Sequence, residues 1–156
     1  MVTDEARERL RQAMALHSAG EIDAALDAAR QAVALSPEFG QAHAYIGNTL
    51  VTRKRRFADG IAAMERAAAL LPHDPGVLYT LGWCREFAAN ALARPKGAHQ
   101  PLDKDAATLY AEAREALLAA LQLHPEQGLR GDIEDILDVI ASATGEPWEG
   151  SEGAAR

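Results

Sequence analysis

The sequence predicts an all-helical chain built from repeated helix pairs, and three observations predict it. Alanine, the strongest helix former, is abundant while aromatic residues make up only 5% of the chain, a composition suited to closely packed helices. β-Branched residues never alternate in a run, so no sheet is expected. Three segments also end alike, at Ala32-Val33-Ala34-Leu35-Ser36-Pro37, Ala67-Ala68-Ala69-Leu70-Leu71-Pro72 and Ala120-Leu121-Gln122-Leu123-His124-Pro125. Each reads as a helix stopped by proline, which has no N–H to continue the ladder.

An amphipathic helix precedes each proline. Ile22, Ala25, Leu26, Ala29, Ala32 and Val33 recur at helical spacing in the first, Phe57, Ile61, Met64, Ala67 and Ala68 in the second, and Tyr110, Ala113, Leu117, Ala120 and Leu121 in the third. A further helix lies upstream of each. Two of these upstream helices carry an apolar-glycine pair, Ile46-Gly47 and Leu81-Gly82, and the first unit has Ala13 at the matching place. Glycine inside a helix costs about 1 kcal/mol relative to alanine, so its use there points to a neighbouring helix that must come close. The paired helices break at Ala19-Gly20-Glu21 in the first unit and at Arg53-Lys54-Arg55-Arg56 in the second.

A unit of about 34 residues with this helix-turn-helix plan, small residues at the crossing and a closing proline resembles the tetratricopeptide repeat. Ala15-Leu16-His17-Ser18-Ala19-Gly20-Glu21-Ile22-Asp23-Ala24-Ala25 and Tyr79-Thr80-Leu81-Gly82-Trp83 carry the resemblance best, and it extends from residue 4 to about 125. The resemblance implies a helical-hairpin solenoid of about three repeats, at about 4–38, 39–73 and 74–126, within a domain of residues 1–145. Arg9 and Gln12 stand where the family prefers bulky apolar residues, as suits a terminal repeat with a wet outer side. In the second unit the turn has one extra residue and Asp59-Gly60 stands where the family prefers Glu-Ala, so Gly60 supplies the small contact.

The third unit is longer than the family period by an insertion near 88–105. Its first helix is expected from about Pro75 to Leu92 and its second from Asp103, a plausible N-cap. Two prolines and a glycine make residues 93–102 a loop. The rest of the insertion lengthens both helices, so that Phe87, Ala91 and Leu92 can meet Ala106, Leu109 and Tyr110. The loop is read either as a tolerated surface insertion or as a partner contact. A capping helix is expected at about 128–143, with Leu129, Ile133, Ile136, Leu137 and Ile140 inward and Asp132, Glu134, Asp135 and Asp138 outward. Residues 146–156 read as a flexible tail, in which Trp148 packs back on its own domain, docks on a partner or a second copy, or stays loose.

Charge and motifs argue against several functions. A net charge of −7 opposes nonspecific binding to nucleic acid and to anionic membranes. The basic run Arg53–Arg56 reads as a solvated turn or as a contact for phosphate or an acidic partner. With Cys84 the sole cysteine, no internal disulfide can form; it reads as a packing residue. The N-terminus carries no apolar signal core and no stretch is long enough to span a bilayer, so a cytoplasmic location is expected. Alanine and arginine usage suits a GC-rich bacterium. His17, His43, His73, His99 and His124 are scattered one per region, and no phosphate loop, Cys-x-x-Cys or His-Glu-x-x-His occurs. No catalytic, cofactor or metal site is therefore expected, and the chain does not read as an enzyme.

By the resemblance, the first helix of each pair lines a concave groove. Helical spacing then selects Leu10, Met14 and His17; Gln41, Tyr45, Asn48 and Thr52; and Tyr79, Trp83 and Glu86 as groove residues. Family members that clamp a terminal carboxylate use lysine, arginine and asparagine at places that here carry Leu10, Met14, Tyr45, Gly76 and Thr80, so that clamp is missing. The expected partner is a protein or peptide segment lying across Met14, Tyr45, Asn48, Tyr79 and Trp83. The alternatives are packing of these residues against neighbouring helices, and a homo-oligomer formed through the ends or the tail.

Overall fold

The computed structural model describes residues 1–150. Among these described residues seven helices follow one another: α1 (Asp4–Ser18), α2 (Ile22–Leu35), α3 (Gly40–Thr52), α4 (Phe57–Leu70), α5 (Pro75–Ala93), α6 (Ala106–Gln122) and α7 (Gln127–Thr144). No strand occurs among the described residues. Contacts gather the chain into two compact units. One holds residues 1–72 together with 98–101, the other residues 73–97 together with the chain from 102 onward.

In the first unit α1 pairs with α2, α3 pairs with α4, and α2 packs on α3. The start is pinned. The Thr3 hydroxyl accepts from the Ala6 N–H, and the Thr3 N–H donates to the buried Ser36 hydroxyl at the end of α2. Gly20 adopts φ +82 in the first turn, a conformation that costs a residue with a Cβ. Ala13, Leu26, Ala29, Ile46 and Leu50 make one cluster of the core, and Ala6, Ala32, Phe39 and Ala42 another. Alanine dominates because the helices lie close. The closest approach joins α3 to α4: a Cβ on Gly47 would stand 2.7 Å from the Gly60 carbonyl oxygen, and one on Gly60 would stand 2.8 Å from that of Gly47. Both glycines named from the sequence thus let one backbone touch the other.

The long second turn has a local consequence. Arg55 sits at φ 54, a left-handed conformation that costs an ordinary residue about 1–2 kcal/mol. Residues 98–101 hold it there. The Arg55 Nε donates to the Ala98 carbonyl at 3.0 Å, and the Arg55 carbonyl accepts from the Gln100 N–H at 3.0 Å. The Arg55 guanidinium lies 5.3 Å from the centre of the buried Phe57 ring, on which the His99 ring stacks at 5.1 Å. Gln100 does one thing more. α4 has no side-chain cap from its own N-cap residue, and the Gln100 Oε1 accepts from the Asp59 N–H in its place. The middle of the insertion is therefore built into the first unit as a strap.

The second unit is an α5–α6 hairpin against which α7 packs. Asp74 accepts from the N–H groups of Gly76 and Val77 and caps α5, with Pro75 in the first turn. The insertion lengthens the helices as expected: α5 has 19 residues against 13 in α3, and α6 has 17 against 14 in α4. The expected start of α6 at Asp103 is corrected. Asp105 is the N-cap, accepting from Thr108, and these hydrogen bonds hold its carboxyl below the usual range. Lys104 just before it is tied to Glu112 at 2.8 Å, which fixes the entry of the chain. A Cβ on Gly82 would meet Leu117 at 2.6 Å, so this hairpin too closes at a glycine.

α7 buries Ile133, Leu137 and Ile140 and ends at Gly145, φ +77. The segment after it, expected to move freely, is anchored at its beginning. Arg114 bonds the Glu146 carboxylate and carbonyl, and Trp148 is 8% exposed with its Nε1 donating to Asp138 at 2.8 Å. The remainder of that expected tail, residues 151–156, lies outside the described residues.

Cys84 is fully buried, and burial pushes its thiol up to about 12. A thiolate is the reactive form, so alkylation of the native chain at about pH 8 will run orders of magnitude slower than of the unfolded chain. Mass spectrometry after timed exposure to iodoacetamide, with and without denaturant, checks this.

Candidate partner-binding faces

In the first unit the residues selected by helical spacing are left outside the core to different degrees. Met14 is 52% exposed in mid-α1, unusual for a large apolar side chain. His17 and Tyr45 meet: His17 Nδ1 lies 3.0 Å from the Tyr45 hydroxyl, with the rings edge to face at 5.6 Å. Tyr45 also rests on the core cluster of α2 and α3, so its ring is partly spent on packing while the residue stays half-exposed. Asn48 and Thr52 follow on the same helix, half-exposed, and the Thr52 hydroxyl donates to the Asn48 carbonyl at 2.8 Å. Gln41 is exposed, and Leu10 is half-buried against both core clusters.

In the second unit Tyr79, Trp83 and Glu86 share one face of α5 and are all half-buried. That face is not bare. Burial, and then the charges of Asp132 and Asp135 on α7, push the Tyr79 phenol up. The helix expected only to cap the repeats therefore brings its acidic side near this face. Burial alone raises the Glu86 carboxyl, and Glu86 makes no hydrogen bond or ion pair with any described residue. It borders an open cavity of about 470 Å³, also lined by Asn90, Arg94, Tyr110, Asp138, Val139 and Ser142. The Tyr110 phenol is raised as well, by burial first and the Glu86 charge second.

The stripe of α5 extends one turn beyond Glu86. Asn90 continues the line of Glu86 at helical spacing and could have been found by extending it. Asp138 and Ser142 carried no such signal, because their proximity to α5 is set by how α7 packs.

A raised carboxyl has a measurable sign. Folded Glu86 keeps its proton to higher pH than the unfolded chain does, so its contribution to stability is full below the ordinary carboxylate range. It is lost as pH climbs through the raised value. Glu86→Gln will match or exceed the parent Tm at neutral pH, and the gap will close as pH falls below the ordinary carboxylate range. Thermal melts of both proteins across that range test it.

Three of the four residues of the basic turn are engaged within the chain, and Arg53 is exposed. Lys54 pairs with Asp23, Arg56 pairs with Asp59, and Arg55 is held by the strap. Among the described residues no group of His, Cys, Asp or Glu could hold a metal ion, and no helix is long and apolar enough to cross a membrane.

Helix pairs crossing at small residues, each second helix closed by a turn before proline, define a fold of the tetratricopeptide-repeat kind. Solved structures agree. The first tetratricopeptide-repeat domain of Spaghetti (RPAP3), bound to the HSP90 peptide SRMEEVD, has a TM-score of 0.70 at 16% identity, covering 90% of this chain and 94% of that one. No protein-family model matches the sequence, and no curated protein sequence matches it. At that identity the likeness establishes the fold, all-α and tetratricopeptide-type.

Proposed function

We propose that the chain is an interaction scaffold that holds an extended or helical segment of another protein on the first helices of its hairpins. The observation that carries this reading is the state of those helices. Their outward residues are large and left only half-buried, with Met14 more than half exposed, although the hairpin cores are already closed by buried residues and, among the proposed contacts, Tyr45 also rests on a core cluster. Methionine adapts to varied surfaces, and tyrosine and tryptophan are frequent anchors of binding energy. The solved neighbour holds a peptide, which supports the same use of this fold. The lysine, arginine and asparagine of a carboxylate clamp are not at the matching places, which carry Leu10, Met14, Tyr45, Gly76 and Thr80, and this argues against a chaperone tail as the ligand.

The contact residues proposed are Met14, His17, Tyr45, Asn48 and Thr52 in the first unit and Tyr79, Trp83 and Glu86 in the second. Self-assembly through the tail finds less support, because Trp148 is occupied by Asp138 of its own chain. Capture of partners on the immobilised chain, identified by mass spectrometry, is followed by affinity measurements with Met14→Ala, Tyr45→Ala and Trp83→Ala. Each is expected to weaken the partner about tenfold or more, as for an anchor worth upward of 1.4 kcal/mol. Unchanged affinity in all three, with unchanged melting, would overturn the reading.

A further inference from the structure

The cavity beside Glu86 has a chemistry of its own. Its charged lining carries two carboxylates, Glu86 and Asp138, against one cation, Arg94, and the Ser142 hydroxyl and the Asn90 amide line it too. The Asp138 carboxylate is already aimed, since the Trp148 Nε1 donates to its Oδ1 and leaves its other oxygen unclaimed by that bond. The Glu86 carboxylate is half-buried without a cation, an arrangement that disfavours the free protein and is relieved by a positive charge from outside. Arg94 lines the cavity but is exposed and pairs with neither acid. Apolar walls complete the site: the Tyr110 ring, and Val139, which is 48% exposed on α7. A second cavity of about 460 Å³ shares Tyr110 with the first and is walled largely by alanine.

We infer that this cavity receives a basic side chain, arginine or lysine, from the segment the scaffold holds, and that a small apolar residue beside it enters the adjoining cavity. Arginine and lysine donate without accepting, which matches the two carboxylates. Their aliphatic stems lie along Val139 and the Tyr110 ring, and the charged head reaches Glu86 and Asp138. A carboxylate or phosphate group meets two like charges against the single cation Arg94. The inference rests on the scaffold reading and adds to it the chemistry of one ligand position.

The probes are two blocked pentapeptides, acetyl-Gly-Ala-Arg-Ala-Gly-amide and its glutamine counterpart, titrated into the full chain with amide shifts followed by NMR. The arginine peptide is expected to shift Asn90, Val139 and Ser142 saturably. The glutamine peptide should bind about tenfold more weakly, the loss of one charge-assisted hydrogen bond. Glu86→Gln, shown to be folded by its melt, should erase the difference. Equal response to both peptides, no response to either, or an arginine preference that survives Glu86→Gln would overturn the inference. The two readings fail differently. If a captured partner loses affinity with Met14→Ala and Tyr45→Ala but not with Glu86→Gln, the basic-residue site falls and the scaffold stands; if none of these variants matters, both fall.

Discussion

Phe57→Ala will cost about 3–5 kcal/mol, the range for removing a buried phenylalanine. Phe57 is fully buried at the first residue of α4, and it does more than fill space. Its ring carries the His99 stack on the strap and lies under the Arg55 guanidinium. Without that ring, Arg55 loses one of the contacts that hold its left-handed backbone, and Gln100 loses the platform that keeps its amide oxygen over the start of α4. Urea unfolding will show the midpoint fall, and hydrogen exchange will show the Gln100 and Asp59 amides opening together in the variant. His99→Ala, which leaves Phe57 in place, will cost less. A loss below about 1 kcal/mol for Phe57→Ala would mean that the strap is incidental to the stability of this unit.

Gly47→Ala carries the second large effect, about 1–3 kcal/mol of destabilisation from overpacking. Intrinsic preference runs the other way, because alanine is favoured over glycine inside a helix by about 1 kcal/mol. The contact decides. The new Cβ would stand 2.6 Å from Met64 Cγ and 2.7 Å from the Gly60 carbonyl oxygen, and a backbone oxygen held in α4 cannot step aside as a side chain can. Gly131→Ala is the matched control. Gly131 lies within α7, exposed, with nothing within 4 Å of the added carbon. That variant will gain up to about 1 kcal/mol. Opposite signs in paired denaturation curves support close helix approach at Gly47; the same sign at both sites would refute it.

Much of the fold was legible in the sequence because its determinants are local. Prolines after Leu35 and Leu71, Gly20 in the first turn and helical spacing of Leu26, Ala29 and Ala32 set boundaries that neighbouring residues already dictate. The glycines were legible too, since a glycine that weakens its own helix must be repaid by a neighbour. Long-range features were not. Nothing near Gln100 announces that it caps a helix 41 positions earlier. Asp103 and Asp105 are both reasonable N-caps, and the choice between them follows the folded path of the chain, where Lys104 is tied to Glu112.

The candidate site divides in the same way. Stripes along single helices, such as Tyr79, Trp83 and Glu86, follow from spacing alone. What faces a stripe depends on packing between helices. The sequence therefore offered Glu86 as a groove residue without revealing Asp138 opposite or the cavity they line. The place of Trp148 is likewise set by packing between segments, its indole N–H donating to Asp138 on α7.

Site-specific photo-cross-linking would decide where a partner lies. A photoreactive amino acid at Met14 or Gln41, outward on α1 and α3, is compared with one at Arg30 or Arg66, exposed on α2 and α4. Adducts with a captured partner concentrated at positions 14 and 41 are predicted. Equal adducts at all four, or adducts confined to positions 30 and 66, would contradict binding on the first helices of the hairpins.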